Sequence, residues 1–268
     1  MAKSEGRFNG KVAIVTGGTS GIGEALVRLL VAEGARVVIA ARREELGNAL
    51  VNDLGADRAL FCKCDMGVRA DIEALFSATV KAFGGLDILV NNAALSSFGA
   101  TPDLDPATWH QVIAANLDAV FYTARAAIPL FRQRGGGNIV NVASISGLFG
   151  DYGFTAYNAS KGGVINYTKC LAIDHARENI RVNVVCPGLV ETPMSAVIGE
   201  MGLHDTWVDT IPMGRGGTPE EIAKIVAFVA SDDASFMTGS VIVADGGLTA
   251  ASGQPNLPKI LAKMNQGG

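Results

Sequence analysis

The sequence predicts an α/β fold in which a parallel sheet of seven strands is doubly wound, with helices on both faces. Three observations point there. Seven short apolar runs recur, segments of helical periodicity alternate with them, and a glycine-rich turn joins the first run to the first helical segment. The runs are continuous rather than alternating, as strands buried on both faces read, and the crossovers return the chain in one direction.

In chain order the expected strands are "KVAIVT" (11–16), "RVVIA" (36–40), "ALFCKC" (59–64), "LDILV" (86–90), "NIVNV" (138–142), "IRVNVV" (180–185) and "SVIVA" (240–244). Between them, "GEALVRLLVAEG" and "DIEALFSATVKAFGG" carry helical spacing and close on glycine, which accepts the left-handed conformation of a helix end. Long apolar helices are expected around 106–134 and 157–177. Two stretches break the rhythm: 192–217, rich in Met, Gly and Pro, and the tail 250–268.

With 268 residues, 49% hydrophobic, and no linker, the chain reads as one domain spanning 1–268, with its core at about 9–249. Net charge is −4 with no block of lysine and arginine, which argues against nucleic acid or an anionic membrane surface and for a small-molecule partner. The start "MAKSEGRFNG" lacks an apolar signal core, and no run could span a bilayer, so a cytoplasmic protein is expected. Cys62, Cys64, Cys170 and Cys186 lack paired CxxC spacing and nearby histidines, so no metal site is expected.

"TGGTSGIG" (16–23) stands after the first strand and opens the first helix. Gly17, Gly21 and Gly23 would let the backbone approach a diphosphate, whose charge faces the free N–H groups of the helix start. The spacing is TGxxxGxG rather than GxGxxG, and a tight turn alone would read similarly. About 20 residues on, where an acid usually receives the adenosine ribose, Ala41 is followed by Arg42 and Arg43. Arginines at a helix start gain nothing from its dipole, so they favour a 2′-phosphate, and NADP over NAD, with Thr19 and Ser20 assisting.

"YNASK" (157–161) sets Tyr157 and Lys161 one helical turn apart. At about 4 Å and an effective dielectric of about 20, a fixed positive charge is worth up to ~4 kcal/mol. That would favour phenolate by up to roughly three pK units before lysine solvation is counted. Such a tyrosine could exchange protons near neutral pH. A lysine stem lying over a ring on an amphipathic helix is the plainer alternative.

Together these residues resemble the short-chain dehydrogenases/reductases from about residue 9 to 249. The resemblance rests on "TGGTSGIG", Asp65, "NNAA" (91–94), Asn116, Ser144 in "NVASISG" thirteen residues before Tyr157, "YNASK", "NVVCPG" (183–188), Thr192 and "DGG" (245–247). It implies a Rossmann-like fold and reversible hydride transfer between a nicotinamide and a ketone or secondary alcohol. Tyr157 would move the proton, Ser144 bond the substrate oxygen, Lys161 hold the nicotinamide ribose and favour phenolate, and Asn116 anchor a water linking the lysine to solvent. The cofactor would further touch Ile22, Asp65, Met66, Asn91, Ala93, Pro187, Gly188, Val190 and Thr192. Ser20 stands where many NADP-using relatives carry a basic residue, leaving phosphate recognition to Arg42, with Arg43 assisting.

By the same resemblance 192–217 is a mobile lid, and Met194 and Trp207 on it, with Leu95, Phe149, Tyr152 and Phe154, would frame a substrate of medium size with an apolar body. A helical pair packed on the core would read the same way. In the family the chain resembles, two such long helices form a four-helix contact between subunits, which implies a homotetramer, with a dimer as fallback. Two alternatives stay open: a reductase of acyl chains on carrier protein, for which Arg132 and Arg134 are the obvious basic pair, and a nucleotide-binding relative without catalysis.

Overall fold

Every residue of β1 (Val12–Thr16) is buried, because sheet neighbours flank it and helices cover both its faces. The computed structural model describes residues 6–266 and joins β1 to β2 (Arg36–Ala41), β3 (Ala59–Lys63), β4 (Ile88–Asn91), β5 (Gly137–Val142), β6 (Ile180–Pro187) and β7 (Val241–Ala244). The strand order is β3-β2-β1-β4-β5-β6-β7 and each pairing is parallel. All seven apolar runs are strands. The fourth starts two residues late, at Ile88; the Asp87 carboxylate before it accepts from the Val12 amide at 2.8 Å, while its backbone bonds Val12 and Asn138.

Side chains alternate between two cores, as the period of a strand requires. Ala13, Val15, Val37, Ile39 and Val90 meet α1 (Gly21–Ala32) and α9 (Pro219–Ala230) on one face. Val12, Ile14, Val38 and Leu89 meet α3 (Arg69–Phe83), α5 (Ala119–Arg134) and α6 (Thr155–His175) on the other. The remaining helices are α2 (Glu44–Leu54), α4 (Pro106–Ile113), the short α7 (Ala196–Glu200) and α8 (His204–Val208), and α10 (Leu257–Gln266). α3 ends on Gly84 at φ +77°, the left-handed residue its sequence asks for.

The expected helix at 106–134 runs unbroken, but its hydrogen-bond pattern changes within it. Ala114–Asp118 forms a π-helical turn between α4 and α5, and it carries Asn116. Such bulges widen a helix by one residue and recur at functional sites.

A polar chain crosses the second core. The Thr123 hydroxyl donates to Asn91 at 2.9 Å, the Asn91 amide to Asn141 at 2.9 Å, and the Asn141 amide to Thr168 at 2.8 Å. It ties α5 to β4, β5 and α6 through fully answered buried amides.

Candidate active site

The order of the sheet reverses between β1 and β4, and at such a point a doubly wound sheet opens a crevice beyond its carboxyl ends. Here a cleft of about 580 Å³ lies there, lined by residues that follow all seven strands. From β3 come Asp65 and Met66, from β2 Arg42 and Arg43, from β1 Gly17 and Thr19 to Ile22, and from β4 Ala93 and Leu95. β5 supplies Ser144, α6 Tyr157 and Lys161 with Phe154 just before it, and β6 Pro187, Gly188, Val190 and Thr192.

The glycine turn is built for close approach. Gly17 (φ +66°) and Gly21 (φ +54°) hold conformations that side chains disfavour. A Cβ at Gly17 would come within 2.9 Å of the Ala93 Cα, and one at Gly21 within 3.0 Å of the Thr192 methyl. Thr16 and Asn92 pin the turn to the next loop: the Thr16 hydroxyl accepts from the Asn92 and Ala93 amides at 3.0 Å, and the Asn92 side chain donates to the Thr16 carbonyl at 2.9 Å. Ser20 at the start of α1 makes no capping bond and instead accepts from Arg43 at 2.6 Å, with Thr19 3.4 Å from the same nitrogen. The leading N–H groups of α1 therefore face the cleft without a side-chain acceptor, as a bound diphosphate requires. Arg42 is exposed and, among the described residues, makes no hydrogen bond or ion pair. A cleft of this size, a glycine cradle and two arginines at its β2 end fit a dinucleotide.

At the β5 end, Lys161 is 3% exposed and its Nζ donates to the Val142 carbonyl at 2.9 Å, 5.6 Å from the centre of the Tyr157 ring. The Ser144 hydroxyl donates to Ser146 at 3.0 Å and accepts the Ser146 amide at 3.1 Å. Burial pushes the Tyr157 phenol up to about 12, against the pull of the Ser144 hydroxyl; Asp151 and Cys186 add to the rise. Burial also brings Lys161 down to about 8. The sequence led to the opposite expectation for the phenol. Desolvation outweighs the neighbouring charge because the ammonium is turned to the backbone of β5, 5.6 Å from the ring centre, and because Asp151 opposes ionisation of the phenol.

Five expected contacts do not line the cleft. Gly23 lies within α1, where a Cβ would strike the Gly17 carbonyl at 2.2 Å, so its smallness serves the turn. Asn91 points into the polar chain of the core, since it shares a strand face with Leu89. Asn116 is buried behind the wall: it accepts from the Leu95 amide at 2.7 Å and donates to the Leu95 carbonyl at 2.8 Å and to Ser160 at 3.0 Å. The π-helical turn aims it at that loop. Phe149 is 58% exposed, and Tyr152, also expected nearby, is fully exposed, because the 3₁₀ turn Ile145–Gly147 carries the chain outward.

α7 and α8 lie over the cleft and contribute Val197, Ile198 and Trp207 to its lining, with Met194 from the turn before them. Ser195 roots this segment by donating to the Val190 carbonyl at 2.6 Å and accepting the Thr192 amide at 3.0 Å. His204 sits 3.1 Å from Glu191, whose carboxylate raises its pKa together with Asp205. Thr16, Asn92, Ser146 and Asp151 were not singled out from the sequence. Strand parity marks Asn92 as the partner facing the turn; nothing in the sequence marks Asp151.

Residues 17–249 match a family model described as Enoyl-(Acyl carrier protein) reductase. The meso-2,3-butanediol dehydrogenase of Serratia marcescens is 38% identical over 252 residues, covering 94% of this chain and 99% of that protein. The cyclohexanol dehydrogenase of an Acinetobacter species is 40% identical, with 91% and 97% covered. The 3-oxoacyl-(acyl-carrier-protein) reductase FabG of Thermotoga maritima is 40% identical, with 90% and 99% covered.

Proposed function

The chain belongs to the short-chain dehydrogenase/reductase family of NAD(P)-dependent oxidoreductases acting on ketones and alcohols, and on that premise we propose the finer activity. It interconverts a ketone of medium size with an apolar body and its secondary alcohol, using NADP(H) in preference to NAD(H). The observation that carries this reading is that Ser144, Tyr157 and Lys161 line the same cleft as the glycine turn and Arg42.

When bound, the nicotinamide supplies or accepts the hydride. The residues of this chain handle the oxygen. In reduction the Tyr157 hydroxyl, kept protonated by burial, gives its proton to the substrate oxygen while Ser144 donates a hydrogen bond to it. Lys161 offsets the charge left on the phenolate. Asn116 acts as a positioning residue that fixes Leu95 and, through Ser160, the helix turn bearing Lys161.

Arg42 supports the NADP preference, since it is exposed at the β2 end of the cleft and has no other partner among the described residues. The segment 192–217 is read as the lid. Phe121 (44% exposed) on α5 and Ile173 (79% exposed) on α6 support a homotetramer through these helices. The thiols of Cys62, Cys64, Cys170 and Cys186 are free, in keeping with a reducing cytoplasm, and no helix among the described residues is long and apolar enough to cross a membrane. Arg132 pairs with Glu178 and Arg134 lies 3.9 Å from Asp87, at the end of α5 that leads into the start of β5. That is the sheet edge away from the cleft, so this pair gives a carrier protein no docking patch beside it.

The test is a panel of cyclic and linear ketones and their alcohols run with each nucleotide, followed by absorbance of the reduced nicotinamide. Turnover of apolar ketones with higher kcat/KM for NADPH is expected; turnover of none, with nucleotide bound, refutes the activity.

A further inference from the structure

The cleft is charged unevenly. Arginines stand at its β2 end, whereas among the described residues lining it after β5, β6 and β7 and on the lid segment, only Lys161 and Asp151 carry charge. Lys161 is buried and turned to the Val142 carbonyl. Asp151 is exposed, in the loop between β5 and α6, three residues before Phe154. Its backbone is committed: its carbonyl accepts the Phe154 amide, and its N–H is 2.6 Å from the Asn158 side-chain oxygen once that amide is oriented to satisfy both of its ends. Its carboxylate makes no hydrogen bond or ion pair with any described residue. It therefore faces the space beside Tyr157 as a free negative charge, near enough to oppose ionisation of that phenol.

We infer that Asp151 sorts substrates by charge: this end of the cleft admits neutral or cationic ketones, favours those with a hydroxyl or ammonium donor near the reacting carbon, and rejects those with an anionic group there. The inference rests on the proposed ketone and alcohol chemistry and narrows its substrate class. The rest of the pocket agrees. Leu95, Phe154, Met194, Val197 and Trp207 offer apolar contact but no cation to neutralise a carboxylate, phosphate or sulfonate. An anion seated there would meet the Asp151 carboxylate with no basic group in compensation, whereas a donor would find an unshared acceptor. At a partly solvated distance of several ångströms a like charge costs a factor of about ten or more in binding.

The experiment uses three cyclohexanones that differ only in a carboxylate, hydroxymethyl or aminomethyl group at the 3-position, two bonds from the carbonyl carbon. kcat/KM is measured for wild type and Asp151→Asn, and each value is divided by that for unsubstituted cyclohexanone with the same variant, which cancels any loss common to all substrates. In wild type the carboxylate ketone should fall about tenfold or more below the hydroxymethyl ketone. Asp151→Asn should close that gap to within about threefold and remove any advantage of the aminomethyl ketone. Added salt should narrow the wild-type gap, a readout that needs no variant. Identical ratios in the two proteins, or a wild-type gap indifferent to salt, overturn the inference while leaving the chemistry intact. Failure to reduce any of the ketones with either nucleotide overturns both.

Discussion

Lys161 donates to the Val142 carbonyl at 2.9 Å, so its ammonium is fixed to the end of β5 by backbone and, among the described residues, by no carboxylate. A charge buried this way is expensive to keep. Its proton, held at an ordinary 10.5, is held at about 8 in the folded protein. Between these values the unfolded chain binds more protons than the folded one, so stability rises with pH. Below pH 8 the full cost applies, on the order of 3 kcal/mol.

From this, Lys161→Met should be at least as stable as wild type at pH 7 without nucleotide, and the difference should shrink as pH rises from 8 to 10. Its turnover should fall by about two orders of magnitude or more. Urea unfolding at the two pH values decides it; a variant less stable than wild type at pH 7 would show that the Val142 bond outweighs the burial of charge.

Tyr157→Phe keeps the ring against Phe154, whose centroid is 6.4 Å away, and removes only the hydroxyl. The expected result is a loss of about 10²–10⁴ in kcat, with the dissociation constant for NADPH unchanged within about threefold by fluorescence titration. Near-normal turnover would remove Tyr157 from the proton transfer.

Arg42 and Arg43 should separate in function. Arg43 is tied to Ser20 and Thr19, so Arg43→Ala loosens the glycine turn and weakens both nucleotides. Arg42 has no such tie. Arg42→Asp should lower the NADP to NAD ratio of kcat/KM by about tenfold to a hundredfold, through loss of a charge-assisted bond and gain of a ribose acceptor. A ratio that stays put excludes Arg42 from phosphate recognition.

Asn116→Ala deletes the bonds to both the N–H and the carbonyl of Leu95. Leaving those groups unanswered should cost about 1–3 kcal/mol of stability and reduce kcat more than it raises KM, because Lys161 is held through the neighbouring Ser160. The urea midpoint and steady-state kinetics report the two effects. Kinetics unchanged at lowered stability would confine Asn116 to a structural part.

The strands were readable because burial on both faces leaves unbroken apolar runs such as VAIVT, which no surface element shows. The π-helical turn at Ala114–Asp118 was not, since its residues have ordinary helical preferences and the bulge answers to a distant loop. Asn91 and Asn92 show both cases at once. Adjacent identical residues point to opposite faces, one into the core and one to the glycine turn, and counting parity from Leu89 would have told them apart. Phe149 and Asp151 sit in a loop where no periodicity applies, so one expected contact fell outside the cleft and one lining residue went unnoticed.

Asn91 and Asn141 are register partners at the centre of the sheet. Sliding β5 by one residue would set a valine against Asn91 and leave two primary amides stranded in a dry interior, at a loss of several kcal/mol. Purely aliphatic strands would tolerate that slip far better. The buried asparagine pair thus pins β4 against β5 at one register, and with it the height at which the loops after both strands leave the sheet for the cleft.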